Sequence, residues 1–161
     1  MTLRIIATGG TFDKHYDEIA GTLGFAKGHL ADAITRARLT LPTVLEELPF
    51  LDSLDMQDQD RQRILAACRS SSESQIVIVH GTDTMRETAA VLGQAGMDKT
   101  IVFTGAMIPY EIANSDALFN LGFAVGVAGV LPAGIYVAMN GQVFPWDDVK
   151  KNRGAGVFET L

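Results

Sequence analysis

Short apolar runs alternate along this chain with helix-length amphipathic stretches. Residues 3–8 are apolar and stop at Gly9-Gly10, which predicts a buried strand. Residues 11–27 are polar, contain glycine and have no clean period, so they read as a loop. Residues 31–39 suit a short helix or turn, and 43–48 a strand bracketed by Pro42 and Pro49. Residues 57–71 read as a helix with Ile64, Leu65 and Cys68 on one face and Asp55 or Asp58 as its cap. Strands follow at 75–79, 100–104 and 135–139, the first of them rich in β-branched residues. Between them lie helices at 85–96 and 115–129, the second opened by a Ser or Asn cap. Asn140-Gly141 ahead of Gln142-Val143-Phe144 predicts a tight hairpin. Residues 147–161 read as a polar tail without an element.

Strand, loop, helix and strand in repetition predict an α/β fold: a Rossmann-like, mostly parallel sheet with helices on both faces. In such sheets ligands bind beyond the carboxyl ends of the strands. The loops at those ends read Thr8-Gly9-Gly10-Thr11, His80-Gly81-Thr82-Asp83-Thr84 and Thr104-Gly105-Ala106-Met107. Two glycines let the first loop turn sharply and aim N–H groups at an oxyanion or phosphate, with the Thr11 hydroxyl placed to attack a carbonyl. A Gly-rich turn that merely ends a strand would look the same. The loop lacks both G-x-G-x-x-G spacing and a P-loop Lys-Ser/Thr, so a phosphate cradle is the weaker alternative. In the second loop Thr82 beside Asp83 can bind an ammonium group and relay a proton, or can simply cap the next helix. His80 reads as a strand-end residue holding a backbone group. It shares no metal-ligand spacing with His15 or His29.

Composition narrows the field. The 161 residues are 47% apolar and 20% charged, which is globular and within the size of one domain spanning 1–161. A net charge of -6 argues against nucleic acid and anionic membrane partners. The single cysteine, Cys68, allows no internal disulfide and points to a reducing, cytoplasmic setting. The mostly apolar stretch 121–139 contains Pro132 and several glycines. It reads as a helix end, a turn and a strand, not as a membrane span.

Taken together, Ala7-Thr8-Gly9-Gly10-Thr11, Ser53-Leu54-Asp55-Met56, His80-Gly81-Thr82-Asp83-Thr84-Met85 and Gly105-Ala106-Met107-Ile108-Pro109 carry a resemblance. Ser115-Asp116-Ala117-Leu118-Phe119-Asn120-Leu121 and Asp148-Val149-Lys150-Lys151 continue it in the same order. Over residues 3–152 the chain resembles the N-terminal domain of the L-asparaginases, the bacterial-type threonine amidohydrolases. The Thr-Gly-Gly-Thr and His-Gly-Thr-Asp-Thr runs are specific only in combination.

The resemblance implies hydrolysis of L-asparagine to L-aspartate and ammonia through an acyl-enzyme on a threonine, with no cofactor and no metal. It places the catalytic roles on Thr11, on a mobile-loop tyrosine for which Tyr16 is the candidate, and on Thr82, Asp83 and Lys151. It places Ser53 at the substrate α-carboxylate and puts Gly10 and Ala106 beside the substrate. Without the resemblance, Lys151 reads as a solvated residue in the basic run Lys150-Lys151-Asn152-Arg153. Two departures stand out. Leu54 occupies a position where the family often has a glutamine touching the substrate amino group. The sequence stops at Leu161, short of the C-terminal domain through which a neighbouring subunit closes the site in longer members. A homo-oligomer is therefore expected. The loop 107–112, apolar for a surface segment, belongs either to the core or to such a contact. The same pocket without catalysis, as an amino-acid-binding module, is the alternative function.

Overall fold

The structure, a computed structural model, describes residues 1–161. Its main sheet contains β1 (Leu3–Gly9), β4 (Thr43–Leu51), β5 (Gln75–Val79), β6 (Thr100–Thr104), β7 (Gly134–Met139) and β8 (Gln142–Pro145). Their spatial order is β4-β1-β5-β6-β7-β8; the first five run parallel, and β8 returns antiparallel to β7. The return is the predicted tight turn, with Asn140 at φ 50° and Gly141 at φ 83°.

Alternation along the strands divides the core in two. Ile6, Ile76, Ile78, Ile101 and Phe103 face α2 (Asp58–Ser70) and α3 (Met85–Gln94) through Ile64, Leu65, Met85, Ala89 and Leu92. Leu3, Ile5, Val77, Val79 and Val102 face α1 (Leu30–Arg36) and α4 (Ala117–Ala128) through Leu30, Ala33, Leu121 and Ala124. The chain is thus a compact α/β domain with helices on both faces. None of its helices is long and apolar enough to cross a membrane.

Several local expectations are revised. The segment 11–27 is not a plain loop: a 3-10 turn at Thr11–Asp13 leads into an antiparallel hairpin of β2 (Lys14–Asp17) and β3 (Thr22–Phe25). The hairpin is mostly exposed, so its residues show no buried-strand alternation. β4 runs through Pro49 to Leu51, because at the sheet edge a residue lacking an N–H breaks no ladder. The cap of α2 is neither Asp55 nor Asp58: Gln57 takes that position, and its N–H donates to Asp60 Oδ2 at 2.9 Å. At α4 the cap position is held by Asp116, neither Ser nor Asn; the helix begins at Ala117, whose N–H donates to Ser115 Oγ at 3.0 Å. The 147–161 tail contains a second hairpin, β9 (Lys150–Asn152) with β10 (Val157–Glu159). It is anchored in the core by Val149 and Phe158.

The topology selects one place on the sheet. From β1 the chain moves outward to β4, then crosses back to lay β5 on the other side of β1. The order therefore reverses at β1, and the crevice beyond the carboxyl ends of β1 and β5 is where such sheets bind ligands.

Candidate active site

Two glycines bring the loops after β1 and β5 into contact. Gly10 has φ 74°, and a Cβ there would lie 2.4 Å from both Cα and N of Gly81. A Cβ on Gly81 would in turn lie 2.6 Å from Ser53 Cβ. Backbones this close admit only glycine at these points. Thr11 and Thr82 each follow one of the touching glycines, which lie far apart in sequence.

His80 holds the second loop from beneath. It is fully buried; its Nδ1 donates to the Gly81 carbonyl at 2.7 Å, and Thr88 Oγ1 donates to its Nε2 at 2.8 Å. That pattern is the neutral ring's, the form that burial favours by pushing its pKa down to about 4. The expectation of a strand-end residue holding a backbone group describes this geometry.

Thr82 and Asp83 share one cation. Lys151 Nζ donates to Thr82 Oγ1 at 2.7 Å and to Asp83 Oδ1 at 2.9 Å, with only 12% of the lysine side chain exposed. Because Lys151 donates into the Thr82 oxygen, the Thr82 hydroxyl proton remains free for another acceptor. Lys151 lies on β9 opposite Phe158, so the core anchor of the tail hairpin also fixes the lysine. Sequence patterning missed this, since a three-residue strand has too little alternation to register. Arg153 was missed as well: its Nε lies 3.5 Å from Asp83 Oδ1. The signal available was its position two residues beyond Lys151, a spacing that shares a face in extended chain. A cleft of about 160 Å³ opens here, bordered by Thr82, Asp83, Lys151 and Arg153.

Ser53 lies in a 3-10 turn at Ser53–Asp55 beyond β4, 2% exposed. The Thr84 N–H donates to its Oγ at 3.3 Å and Thr84 Oγ1 donates to its carbonyl at 2.7 Å. The Ser53 hydroxyl thus has its own proton to give. Ala106 is buried in the exit loop of β6. That loop is held by the Asp116 carboxylate, which accepts from the Met107 and Ile108 N–H groups, and by Asn120 Nδ2, which donates to Gly105 O at 2.9 Å. The apolar loop 107–112 is divided: Tyr110 is buried, whereas Ile108 and Ile112 are partly exposed.

Not every candidate is gathered in. Thr11 is half-buried and its hydroxyl makes no hydrogen bond within the chain. Tyr16 sits on β2 opposite Leu23, 49% exposed, and its hydroxyl likewise has no partner. Leu54 is exposed and presents no polar atom. A larger hollow, about 360 Å³, opens elsewhere, beside Arg36, Tyr110, Asn114 and Leu118. It contains none of the convergent loop residues, so the chemistry and the largest hollow do not coincide. No group of three His, Cys, Asp or Glu side chains is arranged to hold a metal ion.

Comparison with known proteins points the same way. The family model described as asparaginase, N-terminal, matches residues 2–158. The chain is 31% identical over 175 residues to a probable periplasmic L-asparaginase of Haemophilus influenzae, covering 96% of this chain and 47% of that protein. It is 40% identical over 163 residues to a glutaminase-asparaginase of Acinetobacter glutaminasificans, covering 91% and 48%. Among solved structures, the thermostable L-asparaginase from Thermococcus kodakarensis superposes with a TM-score of 0.88 at 29% identity, over 100% of this chain and 51% of the other. The chain spans about half the length of the relatives it matches.

Proposed function

Starting from the fact that the chain belongs to the asparaginase family, matched along the family's N-terminal domain, we propose that it hydrolyses L-asparagine to L-aspartate and ammonia. The observation that carries this is the Thr82–Lys151–Asp83 unit standing at the sheet's switch point beside the Gly10–Thr11 turn. Asp83 Oδ2 is free to receive the substrate ammonium, since the two cations lie on Oδ1. The Ser53 hydroxyl faces the α-carboxylate. These two contacts orient the side-chain amide toward the threonines.

Thr11 Oγ attacks the amide carbon, and its proton passes to a base, for which Tyr16 is the candidate. A bare threonine hydroxyl is too weak a nucleophile without such help. Backbone N–H groups near Gly10 and Thr82 hold the tetrahedral oxyanion, worth ~3–4 kcal/mol per donor in comparable acyl transfers. Collapse breaks the C–N bond, and a proton delivered to the nitrogen releases ammonia. Water then attacks the Thr11 ester, activated through Thr82. Lys151 steadies the Thr82 oxygen as its proton leaves and keeps Asp83 in place. The water's proton returns to Thr11 as aspartate departs. No cofactor or metal enters this scheme. We also propose that a second copy of the chain shields the site, and that the protein works in the reducing setting implied by its buried, free Cys68.

A second reading has one observation in its favour. Leu54 offers nothing to the substrate amino group, which leaves Asp83 with most of that task. An amino-acid-binding module would keep Asp83 and Ser53 and lose turnover. Incubation with L-asparagine, following ammonia and aspartate together and with Thr11→Ala as control, decides between them. Equal amounts of both products, absent in the variant, are expected. Binding without product would make the pocket a sensor, and a parallel incubation with L-glutamine tests the amide preference.

A further inference from the structure

The β2–β3 hairpin that carries Tyr16 is fastened by charge and hydrogen bonds, not by buried side chains. None of its residues is buried, and Leu23 and Tyr16 remain about half exposed. At its base Lys14 Nζ reaches Asp52 Oδ2 at 2.6 Å, tying β2 to the turn that bears Ser53. At the end of β3 the Phe25 ring packs against Phe50 of β4 at 6.0 Å, and on the other side a single residue, Glu111, holds β2. Its Oε1 accepts the Tyr16 N–H at 2.6 Å and its Oε2 lies 2.9 Å from His15 Nδ1. His29, from the segment before α1, brings Nε2 to 3.3 Å from the same Oε2.

Glu111 has a firm base. It follows Tyr110, whose ring stacks on Phe12 at 5.8 Å and lies 5.6 Å from the His29 ring. Tyr110 OH donates to Asp32 on α1, and Arg36 lies over its ring at 5.5 Å. The exit loop of β6 therefore offers Glu111 from a rigid platform to a loosely held hairpin.

We propose that Glu111 is a positioning residue: it sets the place of the Tyr16-bearing hairpin, and the protonation of His15 grades its hold. The role given to Tyr16 rests on the function proposed above; the latch itself does not. Glu111 hydrogen-bonds His15 and favours its charged form, while Asp17 and Glu18 on the hairpin add to the field. His29 faces the same carboxylate, and behind His29 lies the buried Asp13, with Glu47 on β4 in its field. The pKa of His15 is raised, so its contribution is complete below the ordinary 6.5 and is lost as pH climbs through the raised value. The pKa of Glu111 is lowered, so its contribution is present above the ordinary 4.5 and fails only at greater acidity. The latch is tight between those two values and loosens on the alkaline side.

Amide hydrogen exchange over residues 14–25, corrected for intrinsic rates, tests this between pH 5.5 and 8.5 in the unsubstituted protein, Glu111→Gln and Glu111→Ala. Protection in the unsubstituted hairpin should fall severalfold as pH rises. Glu111→Gln keeps an acceptor for the Tyr16 N–H and should flatten that dependence. Glu111→Ala should lose about tenfold in protection at pH 6, the scale of a charge-assisted hydrogen bond. In turnover, Glu111→Ala should lower kcat as Tyr16→Phe does, and the double variant should fall no further than Tyr16→Phe alone. Exchange that ignores both the substitutions and pH overturns the proposal whatever the activity. Additive losses in the double variant overturn the positioning role of Glu111 toward Tyr16. Absence of ammonia release by the unsubstituted protein would instead sink the asparaginase reading, with the exchange result still deciding the latch.

Discussion

His80 links the site to the core, and acid should reveal it. The folded protein holds this imidazole neutral at a pKa of about 4, whereas the unfolded chain returns it to 6.5. Below pH 6.5 the unfolded state therefore binds more protons at this residue than the folded state does, and stability falls as pH falls. The gap of roughly 2.5 units, at 1.36 kcal/mol per unit, amounts to about 3 kcal/mol, most of it reached by pH 4.5. His80→Asn isolates the contribution. It keeps a donor for the Gly81 carbonyl but loses the bond from Thr88 and part of the packing against Phe103. At pH 7 the variant should be less stable by about 1–2 kcal/mol. Urea titrations followed by the fluorescence of Trp146 at pH 7, 5.5 and 4.5 measure both proteins. The deficit of the variant should shrink steadily, vanish between about pH 6 and 5, and be reversed at pH 4.5, where His80 costs the unsubstituted protein about 2.5 kcal/mol. Asp13, whose pKa burial raises, works in the opposite direction, but it is common to both proteins and cancels in the difference. Parallel stability curves for the two proteins would refute the reasoning, because they would mean that His80 does not resist protonation in the fold.

Lys151→Met removes the donor to both Thr82 and Asp83. Ammonia release from L-asparagine should fall by about 100-fold or more, while the partial exposure of Asp83 and its remaining partner Arg153 limit the stability loss to about 1 kcal/mol in a urea titration. Gly10→Ala forces a Cβ against the Gly81 backbone at positive φ, so a thermal melt should show a loss of about 3 kcal/mol and ammonia release should disappear with it.

Much of this protein is legible in its amino-acid order. The buried strands announce themselves because both faces of a parallel sheet are covered, so 3–8, 75–79 and 100–104 are nearly continuous apolar runs. Their alternation with amphipathic helices dictates a parallel sheet, and Asn140-Gly141 dictates the β7–β8 hairpin. The rule that ligands lie past the strand ends then selects Thr11, Thr82 and Asp83 as candidates without coordinates.

What only the tertiary structure decides is which side chains meet. The two short hairpins carry no readable period, because β2 and β3 are exposed and β9 and β10 have three residues each. Yet Tyr16 and Lys151 ride on them. Lys151 looks like one more charge in a basic run until Val149 and Phe158, buried on either side of it in the chain, turn it onto Thr82 and Asp83. Glu111 reveals nothing in sequence, since its partners His15, Tyr16 and His29 lie some ninety residues upstream and are brought to it by the stacking of Tyr110 on Phe12. Periodicity reports how each segment meets solvent and core. Contacts between segments that are each exposed, or each short, leave no such trace, and only the closed fold creates them.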